Sequence, residues 1–586
     1  NDPAALTVGS FYLNKRGIQK KHKGEMVMEM TGAQILMETL LEQGTDVIFG
    51  YPGGTVLDLY EQIYRNEGRI RHVLPSHEQG GIHAADGYAR ATGKTGVVLA
   101  TSGPGATNLV TGIATAYLDS IPLVIITGNV PTTLIGQDNF QEVDVFSLTY
   151  GIVKHSYRVA RVEELAEDIR EAYAIAASGR PGPVLIDIPK DVQQKKTRFT
   201  PKPPVEIPQI AGEYTEKEIA QAVKLMEKAK RPCIYCGGGV IMADAGEEIM
   251  ELSRRLDAPI CHSLMGVDAV PTDFPASLGM SGMHGQYAST KAIAEADLLI
   301  AVGARFSDRA VGDKQKYAAK AKIIHIEIDP AEVDKSITVD LPLIGDAKEI
   351  LGKILAAVEG GKKEKWQAEI AEMRAFGRMH ATDYSGKLTP DAIIDAVSRV
   401  MPKDTPIVTD VGQHQMWVAQ RYPFAQPRTF LTSGGLGTMG FGMGAANGAC
   451  IGTGRKTVLF TGDGSFAMNF NELGTAVTEG LPVIVVLMDN GVLGMVRQLQ
   501  RFFSNGHYSQ TTTNRKTDFV AFARAMGAEG YRATTTEEMA DAMQKAKAAE
   551  GPVVIACEID REDMVYPMVP SNQSIDEMIL QGGREV

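Results

Sequence analysis

The stretch Thr457-Val458-Leu459-Phe460-Thr461-Gly462-Asp463-Gly464-Ser465 decides the fold class of this chain. It consists of an apolar segment of strand length that runs into a tight, glycine-flanked turn. A helix-like stretch (471–479) and a second apolar run (482–488) follow, and that run ends at Asp489-Asn490-Gly491. Strand, helix and strand in this order predict one βαβ unit, in which Asp463 and Asn490 both lie at the carboxyl ends of parallel strands.

Asp463 and Asn490 are also residue types that hold a metal ion beside a phosphate group. Ligands of open α/β sheets collect at the carboxyl ends of the strands. Carboxylate and amide oxygens suit Mg²⁺, and glycine turns let a phosphate approach the backbone. The pattern therefore predicts a divalent cation that holds a diphosphate; for this pair alone, an ordinary strand-end turn is the alternative.

Two segments of the chain repeat in the same order. Thr115-Ala116 is followed six residues later by Pro122 in an apolar run, and Thr475-Ala476 is followed by Pro482 at the same spacing. Upstream, the glycine-rich turn at 101–105 is similar to the one at 432–437. Two matches in the same order predict sister domains.

Strands alternate with helices throughout the chain, which predicts an α/β protein with doubly wound parallel sheets. We expect three such domains, at 28–194, 212–358 and 380–560, with the first and third as sisters. A basic, proline-rich connector (195–208) and a charged connector around a helix (359–387) separate them. A leader or disordered arm (1–27) and a C-terminal tail (561–586) flank the domains.

The composition excludes several classes of function. A net charge of −12 argues against nucleic acid as a partner, because phosphate contacts need a basic face. No apolar run approaches the roughly 20 residues that span a bilayer, so we expect no membrane contact. Five sparse cysteines fit a reducing compartment better than a disulfide framework, and we expect a cytoplasmic protein.

Glu78 opens a helix-like run directly after the apolar pair Val73-Leu74. A single acid at this place can simply favour the helix dipole, so its role depends on the rest of the site. His77-Glu78 does not start a zinc-binding H-E-x-x-H motif, because His83 follows His77 by six residues rather than four.

Two motifs point to one family. The Gly462-Asp463-Gly464-Ser465 block with Asn490 downstream resembles the signature of thiamine diphosphate enzymes. Arg305-Phe306-Ser307-Asp308-Arg309-Ala310-Val311-Gly312 resembles a signature of acetohydroxyacid (acetolactate) synthases that contain FAD. Segments 128–141, 178–183 and 412–417 also look like that family, so the resemblance to its large catalytic subunit covers roughly 28–580. The chain departs from the family pattern at Ser76, Ser307 and Asp489.

The resemblance implies a reaction and a set of partners. Pyruvate is decarboxylated, and the remaining unit condenses with a second 2-ketoacid, pyruvate or 2-ketobutyrate, to give acetolactate or acetohydroxybutyrate for branched-chain amino acid biosynthesis. The implied cofactors are thiamine diphosphate, Mg²⁺ and FAD. The family binds thiamine diphosphate between two subunits, so we expect a homodimer or tetramer. The sequence predicts no separate regulatory domain, and control by valine would then require a small regulatory subunit.

The resemblance also assigns roles to residues. A glutamate at the place of Glu78 activates the aminopyrimidine ring, and an arginine at the place of Arg309 binds the acceptor carboxylate. The four catalytic positions are Glu78, Gln141, Lys190 and Arg309. The metal positions are Asp463, Asn490 and the Val492 carbonyl. The thiamine diphosphate positions are Gly412, Gln413, His414, Gly437, Met439, Gly464, Ser465 and Met495. The FAD positions are Arg180, Gly237, Gly238, Gly239, Arg305, Asp329 and Asp346, and Phe140 and Leu499 line the substrate channel.

Two other functions stay open on the sequence. A pyruvate oxidase or a 2-ketoacid decarboxylase of the same fold is the first, and reduction of the flavin by pyruvate would identify the oxidase. A non-catalytic nucleotide-binding protein is the second. Glu78, Asp463 and Asn490 argue against it, because a degenerate binder has no reason to keep all three.

Overall fold

The structure is a computed structural model that describes residues 27–384, 386–513 and 515–581. The predicted leader (1–27) lies outside the described residues except for Val27, and so do the last five residues of the predicted tail.

The first part of the chain forms a parallel sheet with helices on both faces. Its strands are β1 (Met28–Thr31), β2 (Val47–Tyr51), β3 (Arg71–Val73), β4 (Gly96–Ala100), β5 (Leu123–Asn129), β6 (His155–Arg158), β7 (Pro183–Pro189) and β8 (Lys196–Phe199). Its helices are α1 (Gly32–Glu42), α2 (Leu57–Arg65), α3 (Glu78–Thr92), α4 (Pro104–Thr107), α5 (Val110–Asp119), α6 (Val145–Thr149), α7 (Leu165–Ala177) and α8 (Lys190–Gln194). The parallel sheet has the order β3-β2-β4-β5-β7-β6. The strands β1 and β8 form a separate antiparallel pair. Alternate residues of β4 enter two separate cores, which is why the buried strand is a continuous apolar run.

The middle part forms a second parallel sheet. Its strands are β9 (Pro232–Cys236), β10 (Ile260–His262), β11 (Ser277–Met280), β12 (Leu298–Val302), β13 (Lys322–Glu327) and β14 (Leu341–Ile344). Its helices are α9 (Glu216–Lys228), α10 (Gly238–Met242), α11 (Gly246–Leu256), α12 (Tyr287–Glu295), α13 (Asp308–Val311) and α14 (Ala347–Ala357), and the connector helix α15 (Glu364–Met379) follows. The sheet order is β11-β10-β9-β12-β13-β14, so the direction of winding reverses between β9 and β12.

The third part forms a third parallel sheet. Its strands are β15 (Ile407–Thr409), β16 (Phe430–Leu431), β17 (Thr457–Gly462), β18 (Val483–Asp489), β19 (Glu529–Ala533) and β20 (Val553–Glu558). Its helices are α16 (Pro390–Val400), α17 (Gln413–Arg421), α18 (Phe441–Thr453), α19 (Asp463–Asn469), α20 (Glu472–Thr478), α21 (Gly494–Phe503), α22 (Phe519–Ala525) and α23 (Thr536–Ala548). The sheet order is β16-β15-β17-β18-β20-β19.

The first and third sheets have the same topology. Numbered within each sheet from β2 and from β15, both run 2-1-3-4-6-5, whereas the middle sheet runs 3-2-1-4-5-6. Thr115-Ala116 lies in α5 just before β5, and Thr475-Ala476 lies in α20 just before β18, at the matching place. The predictions of an α/β fold with doubly wound parallel sheets, and of sister domains at the two ends, are confirmed.

The sister domains pack through matching helices, α3 and α18, each of which follows the second strand of its sheet. Glycines bring the two backbones close together. A Cβ atom on Gly448 would lie 1.8 Å from the Ala84 carbonyl oxygen, and one on Gly87 would lie 2.1 Å from the Ala445 carbonyl oxygen. Any side chain at either position would therefore force the helices apart.

Parts of the predicted connector at 195–208 and of the predicted tail pack against the domains. The start of the predicted connector at 195–208 forms β8, which pairs antiparallel with β1 and buries Phe199. The described part of the predicted tail (561–581) packs on the third domain through Val565, and its residues Val569, Met578 and Leu580 form a small core with Tyr287 of the middle domain and Phe376 of the connector helix α15. Among the residues that the structure describes, no helix is both long and apolar enough to cross a membrane.

Candidate active site

A cavity of ≈ 1420 Å³ opens between the domains. It is larger than the roughly 300–1,000 Å³ usual for one small ligand. The predicted residues of the third domain that line it are Gly412, Gln413, His414, Gly437, Met439, Asp463, Gly464, Ser465, Asn490, Val492, Met495 and Leu499. Those of the first two domains are Arg180, Gly237, Gly238, Gly239, Arg305, Arg309 and Asp346. The structure thus gathers most of the predicted site around one space.

Asp463, Asn490 and Val492 lie together because β17 and β18 are hydrogen-bonded neighbours, with Gly462 opposite Met488. The Asp463 carboxylate accepts a hydrogen bond from the Thr513 hydroxyl at 3.2 Å. Burial and the charge of Asp489 raise the pKa of Asp463 to about 6. Asn490 Oδ1 accepts the Val492 N–H at 3.1 Å, so the 490–492 turn is closed by the Asn490 side chain. We call Asp463, Asn490, Val492 and His414 the metal half-site.

The metal half-site fits a hard cation with a diphosphate. Within the described residues, no group of three or more His, Cys, Asp and Glu side chains is placed to hold a metal. A cation here would therefore be held by mixed oxygen donors, which Mg²⁺ accepts when phosphate oxygens and water complete its shell. Gly412 and His414 stand at the start of α17, where backbone N–H groups face an anion.

His414 and Gly464 add to this fit. His414 Nε2 is buried and has no hydrogen-bond partner among the described residues. Burial lowers the pKa of His414 to about 3, so that the ring is neutral and offers one N–H. A Cβ atom on Gly464 would lie 2.6 Å from the Leu493 side chain, so only glycine leaves this space open.

The middle domain lines a second region of the cavity. Gly237, Gly238 and Gly239 follow β9, and the Gly239 N–H bonds to the Gly303 carbonyl after β12 at 3.0 Å. This is the point where the winding reverses, and dinucleotides bind at such points in sheets of this order. Arg180 reaches the same region from the first domain, held by Asp329 at 3.2 Å and Glu332 at 2.7 Å. Asp329 does not itself line the cavity as the described residues outline it.

Four predicted residues lie away from this cavity, around Glu78. Glu78 is the first residue of α3, and its Oε2 accepts a hydrogen bond from the Asn108 amide at 2.9 Å. A Cβ atom on Gly103 would lie 2.9 Å from Gln141, so the 101–105 turn joins Glu78 to Gln141. Lys190 bonds to the Gly54 carbonyl at 3.2 Å, and Phe140 is 88% exposed. We call Glu78, Asn108, Gln141, Lys190 and Phe140 the Glu78 half-site.

Sequence reasoning missed several buried polar residues that hold these half-sites. Asn108 orients Glu78. The loop before Gly437 is bound by Asp119 and Arg90. The segment before Glu78 is bound by Glu472. Asp119, Arg90 and Glu472 each make at least one hydrogen bond to a backbone group more than 300 residues away in the sequence. Such contacts leave no pattern in the residue types.

Comparisons with known proteins establish the family. Models of the thiamine pyrophosphate (thiamine diphosphate) enzymes match the N-terminal TPP binding domain at residues 30–148, the central domain at 219–354 and the C-terminal TPP binding domain at 410–557. The acetolactate synthase large subunit of Haemophilus influenzae is 41% identical over 571 residues, which are 95% of this chain and 99% of the relative. The chain belongs to the acetolactate synthase family.

Other members of the acetolactate synthase family are similar over almost the same length. The large subunit of Corynebacterium glutamicum is 43% identical over 559 residues, covering 93% of this chain and 89% of its own. The isozyme 3 large subunit of Escherichia coli is 41% identical over 569 residues, covering 94% and 99%. The predicted resemblance is therefore confirmed, and an enzyme of this family is favoured over the oxidase, the decarboxylase and the non-catalytic binder.

Proposed function

We propose that this chain decarboxylates pyruvate and joins the two-carbon unit to a second 2-ketoacid, giving acetolactate or acetohydroxybutyrate for branched-chain amino acid biosynthesis. The observation that carries this is the metal half-site, where Asp463, Asn490 and Val492 meet at one strand edge in a chain of the acetolactate synthase family. Thiamine diphosphate, when bound, supplies a thiazolium ring that acts as an electron sink during decarboxylation.

The metal half-site binds and orients the cofactor. Asp463, Asn490 and the Val492 carbonyl would hold Mg²⁺, which would neutralise the diphosphate charge and tie it to the protein. His414 and the turns at Gly412, Gly464 and Ser465 would hold the diphosphate, and Gly437, Met439 and Met495 would contact the rings. The proposal is supported by the neutral, buried His414 ring and by the space that Gly464 leaves open.

Glu78 holds the proton that the aminopyrimidine nitrogen must gain and lose. A general acid or base has to be fixed within hydrogen-bond reach of its partner. The bond from Asn108 fixes one oxygen of the Glu78 carboxyl, which leaves the other for the ring. Gln141, Lys190 and Phe140 would contact the substrate from the same side.

The separation of the two half-sites supports a homo-oligomer. The metal half-site lines the cavity, whereas Glu78, Gln141 and Lys190 do not. A complete site would then combine the third domain of one subunit with the first domain of another, which requires a dimer or a tetramer of closed symmetry. Relatives are named as large subunits, and we propose a small regulatory subunit as a further partner.

Arg309 and Leu499 meet the second substrate, and FAD lies in the middle domain. Arg309 lines the cavity with a side chain that is 63% exposed, so its guanidinium can bind the acceptor carboxylate with two parallel bonds. FAD is proposed at the reversal point of the middle sheet, contacted by Arg180, Arg305, Asp329 and Asp346. Its flavin stays oxidised, because the reaction transfers no electrons to it.

The domain boundaries 28–194, 212–358 and 380–560 remain part of this proposal, and the bounds of the three sheets support them. A cytoplasmic location is proposed as well. It is supported by five cysteines that are buried and unbridged, as expected in a reducing compartment.

The test is product analysis after incubation of the protein with pyruvate, thiamine diphosphate, Mg²⁺ and FAD. We expect acetolactate, and acetohydroxybutyrate when 2-ketobutyrate is added, while the flavin absorbance stays that of the oxidised form. Stoichiometric bleaching of the flavin by pyruvate would identify an oxidase, and acetaldehyde without acetolactate would identify a decarboxylase. Arg309→Ala should lower carboligation more than CO₂ release.

A further inference from the structure

A buried carboxylate of the third domain binds the start of α3 in the first domain. Glu472 is 1% exposed, and its Oε1 accepts the His77 N–H at 2.9 Å. Its Oε2 accepts the Ser76 N–H at 3.2 Å and the Thr475 hydroxyl at 2.7 Å. A Cβ atom on Gly80 would lie 2.2 Å from the Glu472 carboxyl, so the glycine makes room for this contact.

The two backbone groups that Glu472 binds stand immediately before Glu78. Backbone N–H groups at the start of a helix have no partner within the helix and must find one elsewhere. The His77 side chain accepts the Gln79 N–H, Glu472 accepts the N–H groups of His77 and Ser76, and the Thr475 hydroxyl also accepts the Ser76 N–H at 3.1 Å. The Ser76 hydroxyl also bonds to the Asn471 carbonyl at 2.9 Å. The segment that positions Glu78 is thus held by the third domain as well as by its own.

The sister domain repeats this arrangement only in part. Thr475 corresponds to Thr115, whose hydroxyl bonds to the Thr438 hydroxyl at 2.7 Å, at the turn before α18. Each threonine therefore binds the segment that leads into the other domain's paired helix. The position that corresponds to Glu472, three residues before Thr115, is Gly112, which has no side chain to offer. The carboxylate is present only where the held segment carries Glu78.

We propose that Glu472 is a positioning residue for Glu78, and that it acts across the domain boundary by fixing the direction in which α3 presents the Glu78 carboxyl. This inference rests on the proposed role of Glu78 in cofactor activation. Glutamine at 472 would keep one acceptor oxygen and turn an NH₂ group toward the other backbone N–H. The Ser76 N–H would keep the Thr475 hydroxyl as a second acceptor at 3.1 Å, whereas the His77 N–H would lose its acceptor when the NH₂ group faces it, and the start of α3 would then shift to find another.

The test measures exchange of the C2 proton of bound thiamine diphosphate for deuterium, in holoenzyme saturated with cofactor and Mg²⁺ at pH 8. Glu78→Gln should slow exchange by at least about 10²-fold, the usual cost of losing a proton-transfer group. Glu472→Gln should slow it by about 10- to 100-fold, the cost of a misplaced group, while cofactor affinity changes little. The matched control is Glu479→Gln, at the end of the same helix, where the carboxylate pairs with Arg71 and not with the Glu78 segment.

The double variant separates positioning from general stability. If Glu472 acts through Glu78, adding Glu472→Gln to Glu78→Gln should leave exchange within about twofold of the single Glu78 variant. Slowing that multiplies in the double variant would overturn the inference, and so would wild-type exchange in Glu472→Gln beside slow exchange in Glu78→Gln. Wild-type exchange in Glu78→Gln would remove the proposed role of Glu78 as well.

A milder variant covers the case in which Glu472→Gln does not fold. Thr475→Val keeps the Glu472 carboxylate but removes the hydroxyl that donates to its Oε2 and that also accepts the Ser76 N–H. It should slow exchange less than Glu472→Gln is expected to, and again only when Glu78 is present. Wild-type exchange in Thr475→Val, with Glu472→Gln unfolded, would count against the inference.

Discussion

Asp119 Oδ1 in the first domain accepts the backbone N–H of Gly435 in the third domain at 2.7 Å. The other carboxylate oxygen accepts the Gly434 N–H at 3.1 Å and bonds to Arg90 at 2.9 Å. Arg90 in turn binds the Thr432 carbonyl at 2.8 Å. The loop that leads to Gly437 and Met439 is therefore held by a buried ion pair of the sister domain.

Replacing Asp119 with Asn should destabilise the protein and loosen this loop. Removal of one partner of a buried pair costs about 3–5 kcal/mol, and Asp86, which also binds Arg90, should keep the loss near the lower value. The measurement is the midpoint of urea unfolding. Asp541→Asn, in the exposed pair with Lys545, is the control and should change stability by less than about 1 kcal/mol. Equal midpoints for the two variants would contradict this prediction.

Glu472 should make stability fall as the pH rises. Burial raises its pKa to about 7 from 4.5, so the folded protein holds this proton more tightly than the unfolded chain does. The resulting stabilisation of the folded state is fully present below pH 4.5 and is lost as the pH rises through 7. The loss is about 3 kcal/mol, at 1.36 kcal/mol per pKa unit. Comparison of melting temperatures at pH 5 and pH 8 should show a smaller fall in Glu472→Gln than in wild type. An identical fall in both would show that Glu472 does not titrate in this way.

A mixed dimer should recover activity from two inactive chains. Glu78→Gln disables the Glu78 half-site, and Asp463→Ala disables the metal half-site. If each active site combines half-sites from two subunits, a heterodimer of these variants has one intact site. Random assembly from equal amounts should then give about a quarter of wild-type activity, because half of the dimers are mixed and each has one working site.

Co-expression with two different purification tags makes this measurement direct, and each variant expressed alone is the control. Activity that stays at the level of the single variants in the doubly tagged fraction would mean that one chain completes its own site.

Leu499 should give only a weak preference for 2-ketobutyrate over pyruvate as acceptor. It lines the cavity from α21, at a position where the resemblance to acetohydroxyacid synthases implies a tryptophan in many members. One methylene in a good apolar pocket is worth about 1–3 kcal/mol, or roughly 10–200-fold, and the shorter leucine fills less of that pocket. We expect a product ratio below about tenfold at equal ketoacid concentrations, the low end of that range.

The ratio of acetohydroxybutyrate to acetolactate tests this expectation. Leu499→Trp should raise it, and Leu499→Met, which keeps the apolar volume, should leave it nearly unchanged. A wild-type ratio above about 20 would exceed the weak end of methylene discrimination and rule out the argument.

Features that depend on residues close together in the sequence could be predicted from the sequence. The sequence also predicts a helix near 216–228, and this matches α9, where Thr215 and Glu218 form a capping box at the start. The strands before Asp463 and Asn490 were recognisable because both of their faces are buried, which requires continuous apolar runs. The contact between Glu472 and His77 spans 395 positions and uses a backbone N–H that every non-proline residue has, so nothing in the residue types signalled it.

The shared strand order of the two sister domains has a consequence for metal content. In the first domain Gly96 of β4 pairs with Leu123 of β5, and in the third domain Thr457 of β17 pairs with Val483 of β18. These two pairs occupy the same place in the two sheets, so the residues that follow them can be matched one by one. On this match Ser102 occupies the place of Asp463, and Val130 occupies the place of Asn490. The residues proposed to hold the cation are thus present in only one copy of the duplicated framework. Each chain should bind a single magnesium ion at saturation, whatever the number of subunits in the assembly.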